Sequence, residues 1–139
     1  MDNRVYAAHY PRQLTTSRLM DNENLERRTR SFALDIIKLV EKLPKDEVGR
    51  VLGRQLLKSG TSVGAYYRAV CRAKSTADFI SKFGTVEEEA DESGFWLDLL
   101  VEAGKVNASV AAQLIREADE LTAIAVSSIN TARRSGGRA

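Results

Sequence analysis

The chain has one cysteine, one histidine and two prolines in 139 residues. A lone cysteine, Cys71, excludes an internal disulfide and completes no zinc site. It reads instead as a small apolar side chain at a half-buried helix position. With His9 as the only histidine, a zinc or di-iron centre built on histidine lacks ligands, and no Glu-x-x-His pair of the ferritin-like kind occurs. The same scarcity leaves the serines without a histidine base for nucleophilic catalysis. No apolar run approaches the roughly 20 residues of a membrane span. The N-terminus, MDNRVYAAHYPRQ, has no apolar signal region, so the cytoplasm is the expected compartment. Period-two alternation is missing as well, which argues against strands. Gly60-x-x-x-Gly64 is not followed by the Gly-Lys-Ser/Thr of a phosphate loop. No cofactor is expected.

Carboxylates are the one chemical resource in quantity. Glu88 and Glu92 share a helix face, with Glu89 close by, and such pairs serve acid–base chemistry or hold a cation. A solvated acidic face, or salt bridges to arginines of a neighbouring helix, accounts for them more simply. The chain is therefore read as a non-enzyme.

What the sequence does have is small residues in helical surroundings. The stretch QLLKSGTSVGAYYR, residues 55–68, holds Ser59, Gly60, Thr61, Ser62, Gly64 and Ala65 without a proline. Gly49 and Gly53 are one turn apart, as are Gly60 and Gly64, and residues four apart share a face. Each interior glycine costs about 1 kcal/mol against alanine. A groove for a closely approaching helix would justify them. The alternative is a break near 58–60, and a continuous helix is preferred.

Apolar spacing predicts helices over about 24–43, 47–73, 77–103, and from Asn107 or Ser109 to about 132. Pro44 ends the first. Asp46 caps the second, and Ser75 or Thr76 the third. Gly104 supplies the left-handed residue that closes the third. In the fourth, Val110, Leu114, Leu121 and Ile124 fall in heptad spacing, with Glu117 and Ser128 on the same seam. The expected fold is an all-α, up-down-up-down four-helix bundle over 23–133. An irregular N-terminal arm (1–22) precedes it and a flexible basic tail (134–139) follows. The arm is either anchored through Tyr6, Tyr10, Leu14 and Leu19 or a disordered tail.

The net charge is only +2, but the charges are segregated. Arg50, Arg54 and Lys58 form one basic ridge and Arg68 and Arg72 another, with Arg133 and Arg134 near the C-terminus. Glu87, Glu88, Glu89, Asp91 and Glu92 form an acidic block between them. This pattern implies a dipolar surface or charge-complementary subunit contacts. Arg68, near the small-residue face, is expected in a structural ion pair with Glu89 or Glu92.

From Gln55 to Trp96 the residues carry a resemblance. QLLKSGTSVGAYYRA, then AKSTADFISKF, then EEEADESGFWLDLL, resembles the bacterial four-helix-bundle family named after 23S ribosomal RNA intervening sequences. Its markers here are Gln55, Ser59, Ser62, Val63, Ala65, Arg68, Ser75, Asp78, Phe79, Glu89, Glu92, Trp96 and Leu100. The chain departs at Tyr66, where that family commonly has asparagine, and at Val70. The fold is shared by the accessory variability proteins of diversity-generating retroelements. The resemblance implies homo-oligomers, with pentameric rings among members, and partners such as nucleic acid and a reverse transcriptase. Most relatives have no established activity.

Two functions follow as expectations. One is a homo-oligomeric scaffold that binds RNA, or an RNA-associated protein such as a reverse transcriptase. Arg50, Lys58, Arg72, Arg133 and Arg134 would then meet phosphates. The other is a structural or protein-interaction adaptor without nucleic-acid affinity. No ordered basic–aromatic motif implies base readout, so recognition would be of backbone or shape. Self-association has its own signal. Phe95 and Trp96 are consecutive and point about 100° apart, as do Tyr66 and Tyr67. One of each pair is left near the surface, where it meets another subunit or covers the N-terminal arm.

Overall fold

Pro44, Ser75 and Gly104 mark the three places where a helical chain turns back on itself. The computed structural model describes residues 16–136, with the side chains of 24–136. Four helices make up the fold: α1 (Thr16–Glu41), α2 (Glu47–Val70), α3 (Thr76–Glu102) and α4 (Ala108–Gly136). No strand occurs among the described residues.

Each connector is closed by local chemistry. The Asp46 carboxylate accepts the Gly49 N–H at 2.8 Å and so caps α2. Ser75 Oγ accepts the Asp78 N–H at 3.0 Å, and Asp78 accepts the Lys74 N–H at 3.0 Å, much as in a capping box. At the end of α3, Lys105 N–H reaches the Leu100 carbonyl and Gly104 N–H the Val101 carbonyl. Gly104 has φ +72°, the left-handed residue that this closure requires. Lys105 Nζ also donates to Asp46 at 2.8 Å, tying two connectors together at one end of the bundle.

Consecutive helices run antiparallel. A Cβ built on Gly60 would lie 2.9 Å from Ile36, and one on Gly64 3.5 Å from Thr29, so α2 descends along α1. The Ser59 and Ser93 hydroxyls meet at 3.1 Å, and Tyr67 packs on Phe83 with ring centroids 5.8 Å apart. These contacts set α2 against α3. Gly94 faces Ala118 and Gly136 faces Thr76, which sets α3 against α4. The architecture is the all-α four-helix bundle, with the α1–α4 seam the thinnest. Phe32, Ile36, Leu56, Val63, Tyr67, Leu97 and Leu100 are buried in its core.

The helices differ from expectation in four places. Helix α1 starts at Thr16, inside the stretch read as irregular. The Thr/Ser run that signals a loop is equally a helix-start signal. Residues 1–15 lie outside the described residues, as does the Leu19 side chain, and with them the arm contacts expected of Tyr6, Tyr10, Leu14 and Leu19. Helix α2 stops at Val70, with Cys71 as its C-cap. Helix α4 runs to Gly136, which puts Arg133 and Arg134 in its last turn rather than at the start of a loose tail. Cations there suit the negative end of the helix dipole. Finally, the α4 seam is Ala111, Leu114, Ala118, Leu121, Ala125 and Ile129, while Val110 is exposed and Ile124 only partly buried.

Candidate functional site

The glycines of α2 are close-packing positions against α1 and the connector that follows it. Gly49 sits against the Pro44 carbonyl, Gly53 against Leu43, Gly60 against Ile36 and Gly64 against Thr29. The helix is unbroken through 58–60. Of each aromatic pair, one member goes inward. Tyr67 is buried while Tyr66 is exposed. Trp96 packs partly against the core and donates its indole N–H to Glu92 at 3.1 Å, whereas Phe95 is 56% exposed. Phe95 and Trp96 remain in edge contact at 5.0 Å.

The ion pair expected of Arg68 is absent. Arg68 is exposed, and among the described residues it makes no salt bridge with Glu89 or Glu92. The ion pairs that exist lie elsewhere. Arg28 on α1 donates from Nε to Glu117 Oε2 at 3.2 Å and from Nη2 to the other Glu117 oxygen. The same Nη2 reaches Glu120 at 2.6 Å. In the sequence Arg28 stands out only as part of a basic run. Its partners are some ninety residues away, and no local spacing reveals them.

Glu89 is half-buried on α3, and its backbone carbonyl accepts the Ser93 O–H at 2.8 Å. Burial pushes its carboxyl above the ordinary range, the Glu92 and Glu88 charges push the same way, and Lys58 opposes them. A carboxyl whose folded value is raised holds its proton more tightly when folded. Stability therefore falls as pH rises from the unfolded value through the folded one, and stays at the lower level above it. Glu89→Gln should remove that fall. Urea midpoints of both proteins should diverge, in favour of the variant, just above the usual glutamate range. Parallel midpoints across that range would show that Glu89 is solvated.

The larger feature is the distribution of charge along the bundle. The α2–α3 connector and the end of α4 meet at one end, and the first described turns of α1 run beside the C-terminal half of α2. This arrangement gathers Arg68, Arg72, Lys74, Lys82, Arg133 and Arg134 at one end of the bundle. The described carboxylates there are Glu26 and Asp78. Asp78 is engaged by Lys82 at 2.9 Å. Arg27, Arg30, Arg68, Arg72, Lys74, Arg133 and Arg134 are exposed and form no salt bridge among the described residues.

The middle of the bundle is acidic: Glu87, Glu88, Glu89, Asp91 and Glu92 on α3 lie around Ser93, which meets Ser59 midway along α2, and Glu117 and Glu120 on α4 hold the Arg28 guanidinium. Of the residues expected to meet phosphate, Arg72, Arg133 and Arg134 are thus together, while Arg50 and Lys58 are exposed on α2 away from that end. Among the described residues no group of three or more His, Cys, Asp or Glu side chains is placed to hold a metal. No described helix is long and apolar enough to cross a membrane.

The profile of the family described as 23S rRNA-intervening sequence protein matches residues 23–127. The chain belongs to that family. A crystal structure from the S23 ribosomal protein family of Bacteroides thetaiotaomicron, described as a protein of unknown function, is similar to it. The two share 30% identity and a TM-score of 0.71, over 76% of this chain and 97% of that one. No curated protein matches the chain. Arg68, Arg72 and Glu89 lie within the residues matched to the 23S rRNA-intervening sequence protein family, and Arg133 and Arg134 lie beyond them.

Proposed function

We propose that the protein is a non-catalytic, self-associating helical scaffold of the cytoplasm that binds structured RNA through the phosphate backbone. The observation that carries this reading is the end of the bundle where Arg68, Arg72, Arg133 and Arg134 stand exposed, without a salt bridge among the described residues. Cations already paired with carboxylates have little to offer a phosphate, and these are not so paired. The acidic middle of the bundle would repel nucleic acid, so contact is end-on. Each copy contributes a modest charge. A ring of about five, the form the resemblance implies, would place several basic ends side by side. An RNA-associated protein such as a reverse transcriptase would join the complex at faces the RNA leaves free.

Salt dependence tests the proposal. Binding of a structured RNA should weaken steeply with salt, since each neutralised phosphate releases counterions. Arg72→Ala/Arg133→Ala/Arg134→Ala should flatten the log–log salt slope by about 3, roughly one for each phosphate that is no longer neutralised. Arg50→Ala/Lys58→Ala should change the slope much less. Absence of binding at low salt would leave the adaptor reading in its place.

A further inference from the structure

The outer face of α2 and the outer face of α3 carry opposite charges that the monomer leaves unsatisfied. On α2, Arg54 and Lys58 are exposed beside Val51, itself 50% exposed. On α3, Glu88 and Asp91 are exposed beside Phe95, 56% exposed. None of these four charges makes a salt bridge among the described residues, although α2 and α3 are packed neighbours. Both sets sit at three- or four-residue spacing, so each forms a ridge on its helix. The ridges lie on the solvent sides of adjacent helices, and across the α2–α3 seam Lys58 acts only at a distance, on Glu89, which is not part of the α3 ridge.

We infer that copies of this chain meet by docking the α2 ridge (Val51, Arg54, Lys58) of one onto the α3 ridge (Glu88, Asp91, Phe95) of the next. This inference rests on the self-association in the proposed function and assigns its surfaces. The occupant is a second copy because the chain carries both halves of the match. An exposed aromatic flanked by acids meets an exposed aliphatic flanked by cations. Opposite charge steers the encounter and fixes register, while the aromatic supplies the kind of residue enriched in interfaces. The two surfaces differ, so the contact is head-to-tail. An open set keeps one free ridge at each end, and repetition ends only when the set closes on itself.

Charge reversal tests the assignment, with mass read by light scattering and fold by far-ultraviolet circular dichroism. Arg54→Glu/Lys58→Glu and Glu88→Lys/Asp91→Lys alter exposed positions only, so both variants should keep wild-type helicity. Each alone should lower the mass toward that of the 15.4 kDa chain. All four substitutions in one chain should restore the wild-type mass, because each reversed ridge again faces its opposite. Wild-type mass in both double variants would overturn the assignment and leave self-association standing. A quadruple variant that stays monomeric would overturn the pairing of these two ridges. A wild-type chain that is monomeric at every concentration would overturn the assignment together with the self-association on which it rests.

Discussion

Gly49→Ala should destabilise the bundle by about 1–3 kcal/mol, the usual range for an overpacked site. Gly64→Ala, about four turns along the same helix, should stabilise it. A methyl at position 49 would come within 2.1 Å of the Pro44 carbonyl oxygen. That atom belongs to the backbone of a short connector, so the turn itself must move. At position 64 the nearest atoms are Thr29 O and Oγ1 at 3.5 Å, an ordinary contact. There, alanine adds its helix propensity, about 1 kcal/mol over glycine, and narrows the unfolded ensemble. Gly60→Ala should fall between them. Its methyl would meet Ile36 Cγ1 and Cγ2 at 2.9 Å, but a side chain yields where a carbonyl does not. Urea midpoints of the three variants should rank 64, 60, 49 from most to least stable. Equal midpoints at 49 and 64 would mean that the connector yields freely, and that close approach does not explain these glycines.

The same helix shows how far sequence reading reaches. That Gly60 and Gly64 serve a close approach is legible from their four-residue spacing. That Arg68 does not continue the series is not. Four residues advance about 400° around an α-helix, so each step drifts about 40°. From Gly60 against Ile36, past Gly64 against Thr29, the drift carries Arg68 out to solvent. A short repeat holds a face for two positions and loses it by the third.

The caps were legible because they are local. Asp46, Ser75 and Gly104 each act within a few residues, and each occupies the place its chemistry predicts. The α4 seam was not legible, because large apolar residues draw attention from small ones. Ala111, Ala118 and Ala125 recur every seven residues and are fully buried or nearly so. Their size is the point, since α3 approaches closely enough that a Cβ built on Gly94 would lie 3.7 Å from that of Ala118. The basic end was half legible. Each cluster is visible in the sequence, but only the antiparallel turns bring residues 68–74 and 133–134 to the same end of the molecule.

Arg28 is where the thinnest seam of the bundle is held by charge, and Arg28→Met should cost about 1–3 kcal/mol, between two limits. Exposed ion pairs contribute about 0–1 kcal/mol, and breaking a buried pair costs about 3–5. Arg28 and Glu117 side chains are 26% and 25% exposed, nearer the buried case without reaching it. Methionine keeps an apolar stem of similar reach, so packing along α1 is largely preserved and the loss isolates the guanidinium. What remains is a half-buried Glu117 without its cation. Glu120, 66% exposed, stays hydrated and should matter little. Glu117→Gln should therefore cost less than Arg28→Met, and Glu120→Gln least of all. Combining Arg28→Met with Glu117→Gln should cost clearly less than the two singly, because the second change removes the charge that the first left stranded. Raising salt should shrink the Arg28→Met effect only in part, since screening acts weakly on partly buried charges. If the single effects simply add, Arg28 and Glu117 are not coupled, and α1 is held against α4 by its apolar contacts alone.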